Sequence, residues 1–332
     1  MIRVGINGFG RIGRVVFRNL IARLDIELVA VNDIMPIETL AYLLKYDSNH
    51  GICKYEIQIE NQCVIVNGKT IIITQHQNPI DIPWKELGVD IVLESSGRFK
   101  TKKSLENHLK AGAKKVILSC PPDDELDKLV VFGINQSIIS EQDKIISNAS
   151  CTTNCIAPVI KVLEDEFGIE KAMMNTVHPF TNNQKVLDSP HSDIRRSRAL
   201  GVNIIPTTST AIDATIKIFP FLKNKFDGIA TRVPVKDGSL IELTAVLKTN
   251  VTVEQINAVF KNYSENKLSN ILEYTDEPLV SSDIIGNPNS AIFDSLSTKV
   301  VAGNMIQIIV WYDNEVGYSS RIIDLILYFS KI

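Results

Sequence analysis

A glycine-rich turn between a short apolar strand and an amphipathic helix constrains the fold of this chain more than any other segment. Arg3-Val-Gly-Ile-Asn7 reads as a buried strand. It runs directly into Gly8-Phe-Gly10-Arg-Ile-Gly13, after which Val15, Val16, Leu20 and Ile21 recur at helical spacing. The three glycines act differently. Gly8 permits the tight turn, Gly10 lets backbone approach a pyrophosphate, and Gly13 lets the helix pack close to the strand. The helix N-terminus offers N–H groups and the positive end of its dipole to phosphate. Glu27-Leu-Val-Ala-Val-Asn-Asp33 reads as the next strand and ends in an acid 20 residues beyond Gly13. A carboxylate there accepts from the ribose hydroxyls of NAD. It would also repel a 2′-phosphate, so NAD is expected over NADP. The glycine pattern alone says little; strand, turn, helix and acid in this order predict a dinucleotide-binding βαβ unit.

Strand and helix patterns alternate over the first 149 residues, which predicts an α/β Rossmann domain with a doubly wound parallel sheet. Asp90–Glu94, Lys115–Ser119, Leu129–Gly133 and Lys144–Ser147 read as further core strands, apolar because both sheet faces are covered. Cys63–Val66 and Thr70–Thr74, joined by Asn67-Gly68, read as an antiparallel hairpin. From about residue 168 the pattern changes to long alternating segments: Gly228–Val233, Ser239–Leu247 and Met305–Tyr312. With helices over 209–219, 253–262 and 318–330, these predict an α+β second domain built on a mostly antiparallel sheet.

At 332 residues, 45% of them hydrophobic and 22% charged, the chain has the size and composition of a two-domain globular protein. A net charge of −3 gives no bulk attraction to nucleic acid or membrane. No apolar run is long enough for a transmembrane helix, and the first strand starts too early to leave room for a signal peptide. Five cysteines, Cys53, Cys63, Cys120, Cys151 and Cys155, form an odd set without paired metal spacing, which suits a reducing cytoplasm. No metal is expected. The short basic runs at Lys100, Lys102 and Lys103 and at Lys114 and Lys115 read as solvated helix faces. His50, His76 and His108 read as surface residues, and His191 as structural.

The second informative segment is Ser147-Asn-Ala-Ser-Cys-Thr-Thr-Asn154. It sets Cys151 among small polar residues at the start of a helix predicted over 151–167. A nucleophilic thiol needs access, donors for its negative charge and a nearby base, and a helix N-terminus lowers its pKa. Ser150 and Thr152 can donate to a thiolate or to a bound anion, and His178, 27 residues on, is the candidate base. Cys155, one helical turn later, reads as a small buried side chain; a second thiol or a metal ligand is the other reading.

These stretches, together with Leu44–Ser48, Thr176-Val-His178, Asp193-Ile-Arg-Arg196, Ile204–Thr207, Arg232-Val-Pro234 and Trp311–Glu315, resemble phosphorylating glyceraldehyde-3-phosphate dehydrogenases over nearly the whole chain. The resemblance implies that Cys151 attacks an aldehyde, that His178 is the general base, and that a thioester forms and is released by phosphate. It assigns the cofactor site to Gly8, Gly10, Arg11, Ile12, Gly13, Asp33, Ser119 and Asn314. Thr181 and Arg232 match the site for the substrate phosphate. Ser150, Thr152 and Ser209, with Arg196 nearby, match the site for the attacking phosphate, and Thr210 falls within that site. It further implies a homotetramer, with the polar loop around 180–203 packed between subunits. A C-terminal helix returning to the first domain gives a cofactor domain of 1–149 plus 315–332 and a catalytic domain of 150–314.

Three positions depart from the pattern. Thr210 stands where the family usually has glycine, which adds bulk and restricts φ beside the attacking phosphate. Asn183 replaces an aspartate, and Ser189 a leucine near the adenosine ribose. A sister family, the erythrose-4-phosphate dehydrogenases, also tends to lack that glycine, but usually departs at the position of Thr181, which is kept here. A non-catalytic NAD-binding interaction protein would be expected to have lost Cys151 or His178.

Overall fold

The computed structural model describes residues 1–332. The chain forms two compact units, one of Met1–Ser150 with Ser319–Ile332 and one of Cys151–Tyr318. No helix is long and apolar enough to cross a membrane.

The first unit is built on a nine-stranded sheet. From one edge the order is Lys128–Leu129, Ile145–Ser147, Lys115–Leu118, Ile91–Glu94, Ile2–Asn7, Ile26–Asn32, Lys69–Thr74, Cys63–Val66 and Ile57–Glu60. The first seven are parallel and the last two are added antiparallel, as the hairpin pattern predicts. From Ile2–Asn7 the chain adds Ile26–Asn32 on one side and later Ile91–Glu94 and Lys115–Leu118 on the other, the reversal of direction that defines a doubly wound sheet. In register, Asn7 faces Asn32 on one side and Glu94 on the other, so three polar side chains meet at one end of the sheet.

Three expectations need correction here. The strand at 129–133 is only Lys128–Leu129. The Asn135 side chain takes the Val131 N–H (2.7 Å) and donates to Leu129 O (3.0 Å), so a local amide replaces the strand partner. Lys115 is not on a helix face: it opens a strand, donates to Phe329 O and lies 4.4 Å over the Phe329 ring. His108 is fully buried rather than on the surface. Its Nδ1 accepts from Trp84 Nε1 (3.0 Å) and its Nε2 donates to Glu94 (2.9 Å). His50 is half-buried and His76 exposed.

The second unit is built on a seven-stranded sheet ordered Ile205–Thr207, Phe226–Val233, Ile169–Pro179, Ser239–Leu247, Met305–Tyr312, Ala291–Val301 and Leu272–Thr275. Four of its junctions are antiparallel and two parallel. Ser239–Leu247 alternates buried and half-buried residues along its whole length, as a strand covered on one face must. The Cys151–Glu166, Ala211–Ile218 and Val253–Glu265 helices pack against this sheet. The first delivers Cys151 and Thr152 at its N-terminus, toward the strand ends that carry His178, Arg232 and Tyr312.

Candidate active site

In the first unit the glycine turn has the shape its sequence predicts. Gly8 takes φ +95°, and a Cβ on it would lie 2.2 Å from Ser96 N. A Cβ on Gly13 would lie 2.3 Å from Gly8 O, so helix and turn are in backbone contact. Gly10 is exposed with nothing within 4 Å of its would-be Cβ, and as helix cap it contributes no side-chain acceptor. The turn is therefore closed where it must pack and open where a diphosphate would lie. Asp33 ties it to the second strand: its carboxylate accepts from Phe9 N (2.6 Å) and Met35 N (3.0 Å). Arg11 pairs with Asp47, so its side chain is engaged within the unit. Ser119 is half-buried just past its strand, its N–H bonded to Glu94 O.

A strained turn leads out of this unit toward the thiol. Ala149 is buried and takes φ +54°, a left-handed conformation that a Cβ disfavours. Ser147 Oγ holds it by accepting from Ala149 N (3.0 Å) while donating to Cys120 O (2.7 Å). Ser150 follows, half-buried.

In the second unit Cys151 Sγ lies 3.4 Å from His178 Nε2. Cys151 is half-buried and His178 buried. Burial pushes the Cys151 thiol above its ordinary value, outweighing the Arg232 charge and the Thr152 hydroxyl and N–H, which pull it down. The helix N-terminus alone thus does not make a low-pKa thiol here. Burial, and then the Arg232 charge, hold His178 down to about 3. At neutral pH the pair is thiol and imidazole, with His178 an unprotonated base. Cys155 is fully buried behind, its thiol lifted well above the usual range by burial, which matches the reading of it as core.

Register brings Arg232 beside His178 on the neighbouring parallel strand. Its Nη1 lies 2.6 Å from His178 Nδ1 and donates to Pro179 O (2.9 Å), while its buried Nε has no partner. Thr181 is exposed; its N–H (2.8 Å) and hydroxyl (3.2 Å) both donate to the side-chain oxygen of Gln184, which is buried. Arg196 is braced by Thr207 Oγ1 (2.7 Å), Thr208 O (3.1 Å) and Asp193 (3.3 Å). Ser209 and Thr210 lead into the Ala211–Ile218 helix. Thr210 is exposed with φ −68°, an ordinary helical value, so the change from glycine carries no backbone strain. Asn183 Oδ1 accepts from His191 Nε2 (3.2 Å), and His191 Nδ1 accepts from Asp193 N (2.9 Å), which gives His191 its structural part. Asn314 accepts from Ser239 Oγ (2.8 Å), which orients its amide.

Two side chains that the sequence reading passed over belong to this cluster. Tyr312 is buried, with its hydroxyl 2.9 Å from Thr152 Oγ1 and 2.8 Å from Thr176 Oγ1. Thr176 sits two residues before His178 on one strand, hence on the same face, and that spacing was the available signal.

A glycine-turn parallel sheet in one unit and a thiol–imidazole pair beside a buried arginine in the other are features expected of a nicotinamide-dependent dehydrogenase. Two family models match: the glyceraldehyde 3-phosphate dehydrogenase NAD binding domain over residues 2–102 and the C-terminal domain of the same enzyme over residues 150–314. The glyceraldehyde-3-phosphate dehydrogenase of Geobacillus stearothermophilus is 50% identical over 331 residues, covering 99% of this chain and 98% of its own. That of Streptomyces coelicolor is 52% identical over 330 residues, covering 98% of each. The chain belongs to the glyceraldehyde 3-phosphate dehydrogenase family.

Proposed function

We propose that the protein oxidises D-glyceraldehyde 3-phosphate to 1,3-bisphosphoglycerate with NAD as cofactor, through a thioester on Cys151, in glycolysis and gluconeogenesis. The 3.4 Å approach of Cys151 Sγ to an unprotonated His178 carries this reading. His178 Nε2 takes the thiol proton. The thiolate adds to the aldehyde carbon, and the carbonyl oxygen gains a proton to give a hemithioacetal. His178 then holds that hydroxyl proton as the carbon loses hydride and becomes a thioester. NAD, when bound, supplies the hydride acceptor. An oxygen of inorganic phosphate attacks the thioester carbonyl, the C–S bond breaks, and Cys151 leaves as thiolate with the acyl phosphate as product. The open turn at Gly10, the Asp33 carboxylate and the Asn314 amide fit NAD, with Gly8, Arg11, Ile12, Gly13 and Ser119 around it.

Thr181 and Arg232 take the substrate phosphate, and the unpartnered Nε of Arg232 supports that assignment. Ser150, Thr152, Ser209 and Thr210, with Arg196, take the attacking phosphate; hydroxyls and an arginine fork suit phosphate oxygens. Residues 1–149 plus 315–332 act as the cofactor domain and 150–314 as the catalytic domain. The protein works as a homotetramer in the cytoplasm. Exposed Val186, Leu187, Ile194, Val202 and Ile204 in the 180–204 segment, each at least 70% accessible, support an interface there. The test is NAD reduction with glyceraldehyde 3-phosphate, with and without inorganic phosphate, beside erythrose 4-phosphate. Phosphate-dependent reduction that Cys151→Ser abolishes while NAD still binds is expected. Phosphate-independent turnover, or preference for the four-carbon sugar, would transfer the protein to the sister activity.

A further inference from the structure

The hydroxyls of Thr152, Tyr312 and Thr176 form a buried line that starts at the reactive sulfur and ends on a carbonyl. The Thr152 hydroxyl and N–H both act on the Cys151 sulfur, pulling its thiol down against burial. Its Oγ1 is 2.9 Å from Tyr312 Oη, which is 2.8 Å from Thr176 Oγ1, which is 3.1 Å from Leu240 O. Thr152, Thr176 and Tyr312 are all buried. Three hydroxyl protons must serve four contacts in this space, and an unmatched buried hydroxyl is costly.

The carbonyl sets the direction. Leu240 O can only accept, so Thr176 spends its single proton there. Thr176 Oγ1 is then an acceptor toward Tyr312. Burial raises the Tyr312 phenol far above its ordinary value, so it keeps its proton throughout. That proton has two acceptors in reach, Thr176 and Thr152. The Thr152 proton likewise has two, Tyr312 and the Cys151 sulfur. Three arrangements keep every hydroxyl proton in the line bonded with no two protons facing each other. In the first, Thr152 donates to Tyr312 and Tyr312 to Thr176, and the sulfur receives nothing from the line. In the second, Tyr312 donates to Thr152 and Thr152 to the sulfur. In the third, Tyr312 keeps Thr176 and Thr152 donates to the sulfur without the Tyr312 bond that polarises its O–H. The first suits a thiol, a weak acceptor; the second suits a thiolate best, since a hydrogen bond to a charged acceptor is about twice as strong and the Tyr312 donation strengthens it further.

We propose that Tyr312 is a positioning residue whose hydroxyl turns from Thr176 to Thr152 as Cys151 ionises, making Thr152 the donor that stabilises the thiolate. The Cys151 proton itself goes to His178 Nε2; no proton leaves the hydroxyl line, and only O–H directions change. The titratable groups facing the sulfur are His178, Arg232, Tyr312 and Cys155, and those facing Tyr312 are Cys151, Cys155, Arg232 and His178, whose ring centroid lies 6.0 Å away. Tyr312 is the titratable group among the three hydroxyls of the line.

The inference rests on Cys151 being the nucleophile, and its test reads the thiol without substrate or cofactor. The rate of Cys151 alkylation by iodoacetamide is followed against pH, with labelling located by peptide mass. Thr176→Val removes the competing acceptor of the Tyr312 proton and should lower the alkylation pKa by about half a unit. Thr152→Val removes the donor to the sulfur and should raise it by about one unit. Opposite signs from two buried substitutions on one line are not what a general loosening of packing produces. Tyr312→Phe removes both a donor to Thr152 and a competing acceptor, so it is read by coupling: adding Thr176→Val to Tyr312→Phe should change nothing more. A Thr176→Val pKa at or above the parent's, or a Thr176→Val shift that persists in the Tyr312→Phe background, would overturn the proposal. Should Tyr312→Phe not fold, the Thr176→Val pKa alone decides. An enzyme inactive on triose phosphate would leave these shifts in place, so failure of the assigned reaction is read separately.

Discussion

Replacing His108 by leucine is expected to destabilise the first unit by about 3 kcal/mol. The Glu94 carboxylate is fully buried and holds four donors: Asn7 Nδ2 (2.5 Å), His108 Nε2 (2.9 Å), Ser96 N (2.8 Å) and Ser96 Oγ (2.5 Å). His108→Leu removes one of them, and a bond to a charged group is worth ~1.5–3 kcal/mol. It also leaves the fully buried Trp84 Nε1–H without its acceptor, at ~1–3 kcal/mol. Leucine returns roughly 1 kcal/mol through its greater apolar burial. His108→Gln can donate to Glu94 and accept from Trp84, so it should lose about half as much as leucine. Urea unfolding followed by Trp84 fluorescence measures both, in a Trp311→Phe background that leaves one indole. A leucine variant within about 1 kcal/mol of its parent would show that the line of bonds is not what holds this end of the sheet. Equal losses for leucine and glutamine would assign the effect to shape instead of hydrogen bonding.

Gly8→Ala should abolish detectable NAD binding by calorimetry, because φ +95° and a Cβ 2.2 Å from Ser96 N force the turn to open. His178→Asn should lower kcat by on the order of 10²–10⁴, the usual scale for a positioned base, while NAD affinity stays at the parent value; a loss under tenfold would remove it from that role. Ala149→Gly should stabilise the protein by ~1 kcal/mol in thermal unfolding, since glycine takes φ +54° without a Cβ penalty; a destabilised variant would mean that the methyl packing outweighs the strain.

The parts legible in the sequence were those whose chemistry is local. The glycine turn, the 20-residue spacing to Asp33 and the polar setting of Cys151 each depend on neighbours in the chain. Alternation in Ser239–Leu247 and Met305–Tyr312 marked those strands to the residue. The Ile169–Pro179 strand alternates buried and open positions from Ala172 to His178, but the buried Thr176 and His178 are polar while Met173 and Val177 on the open face are apolar, so hydropathy gave no such pattern. His108 looked like a surface residue because its partners, Glu94 and Trp84, are 14 and 24 residues away. Tyr312 and Thr152 are 160 residues apart, and only the packing of the Cys151–Glu166 helix against the sheet brings them together. Thr210 raised a question that sequence could not answer, since the cost of replacing glycine depends on a dihedral angle, here an ordinary one.

The resting electrostatics of the thiol site lead to one more expectation. Burial disfavours both charged partners, holding Cys151 a thiol and His178 an imidazole down to about 3. Arg232 affects the two in opposite senses, attracting a thiolate and repelling an imidazolium. It also stands 2.6 Å from Nδ1, an approach that suits a bare Nδ1 accepting from the guanidinium. That tautomer places the proton on Nε2, where it blocks the nitrogen that must take the thiol proton. The productive tautomer carries its proton on Nδ1, bonded to Pro179 O (2.7 Å), and requires Arg232 to turn away. A phosphate monoester gives Arg232 a stronger partner than an imidazole nitrogen. Its dianion also offsets the positive charge that opposes protonation of His178. Glycerol 3-phosphate, which has the anion and no aldehyde, should therefore raise the His178 pKa, read by imidazole proton shifts in NMR titration. The stability linkage has the same sign. His178 is depressed from an ordinary 6.5, so the stability it contributes is present above pH 6.5 and is lost as pH falls toward about 3. The anion should make that loss smaller, because the folded state then binds its proton at higher pH. A His178 titration unchanged by glycerol 3-phosphate, at concentrations that saturate binding, would refute the coupling between the anion site and the base.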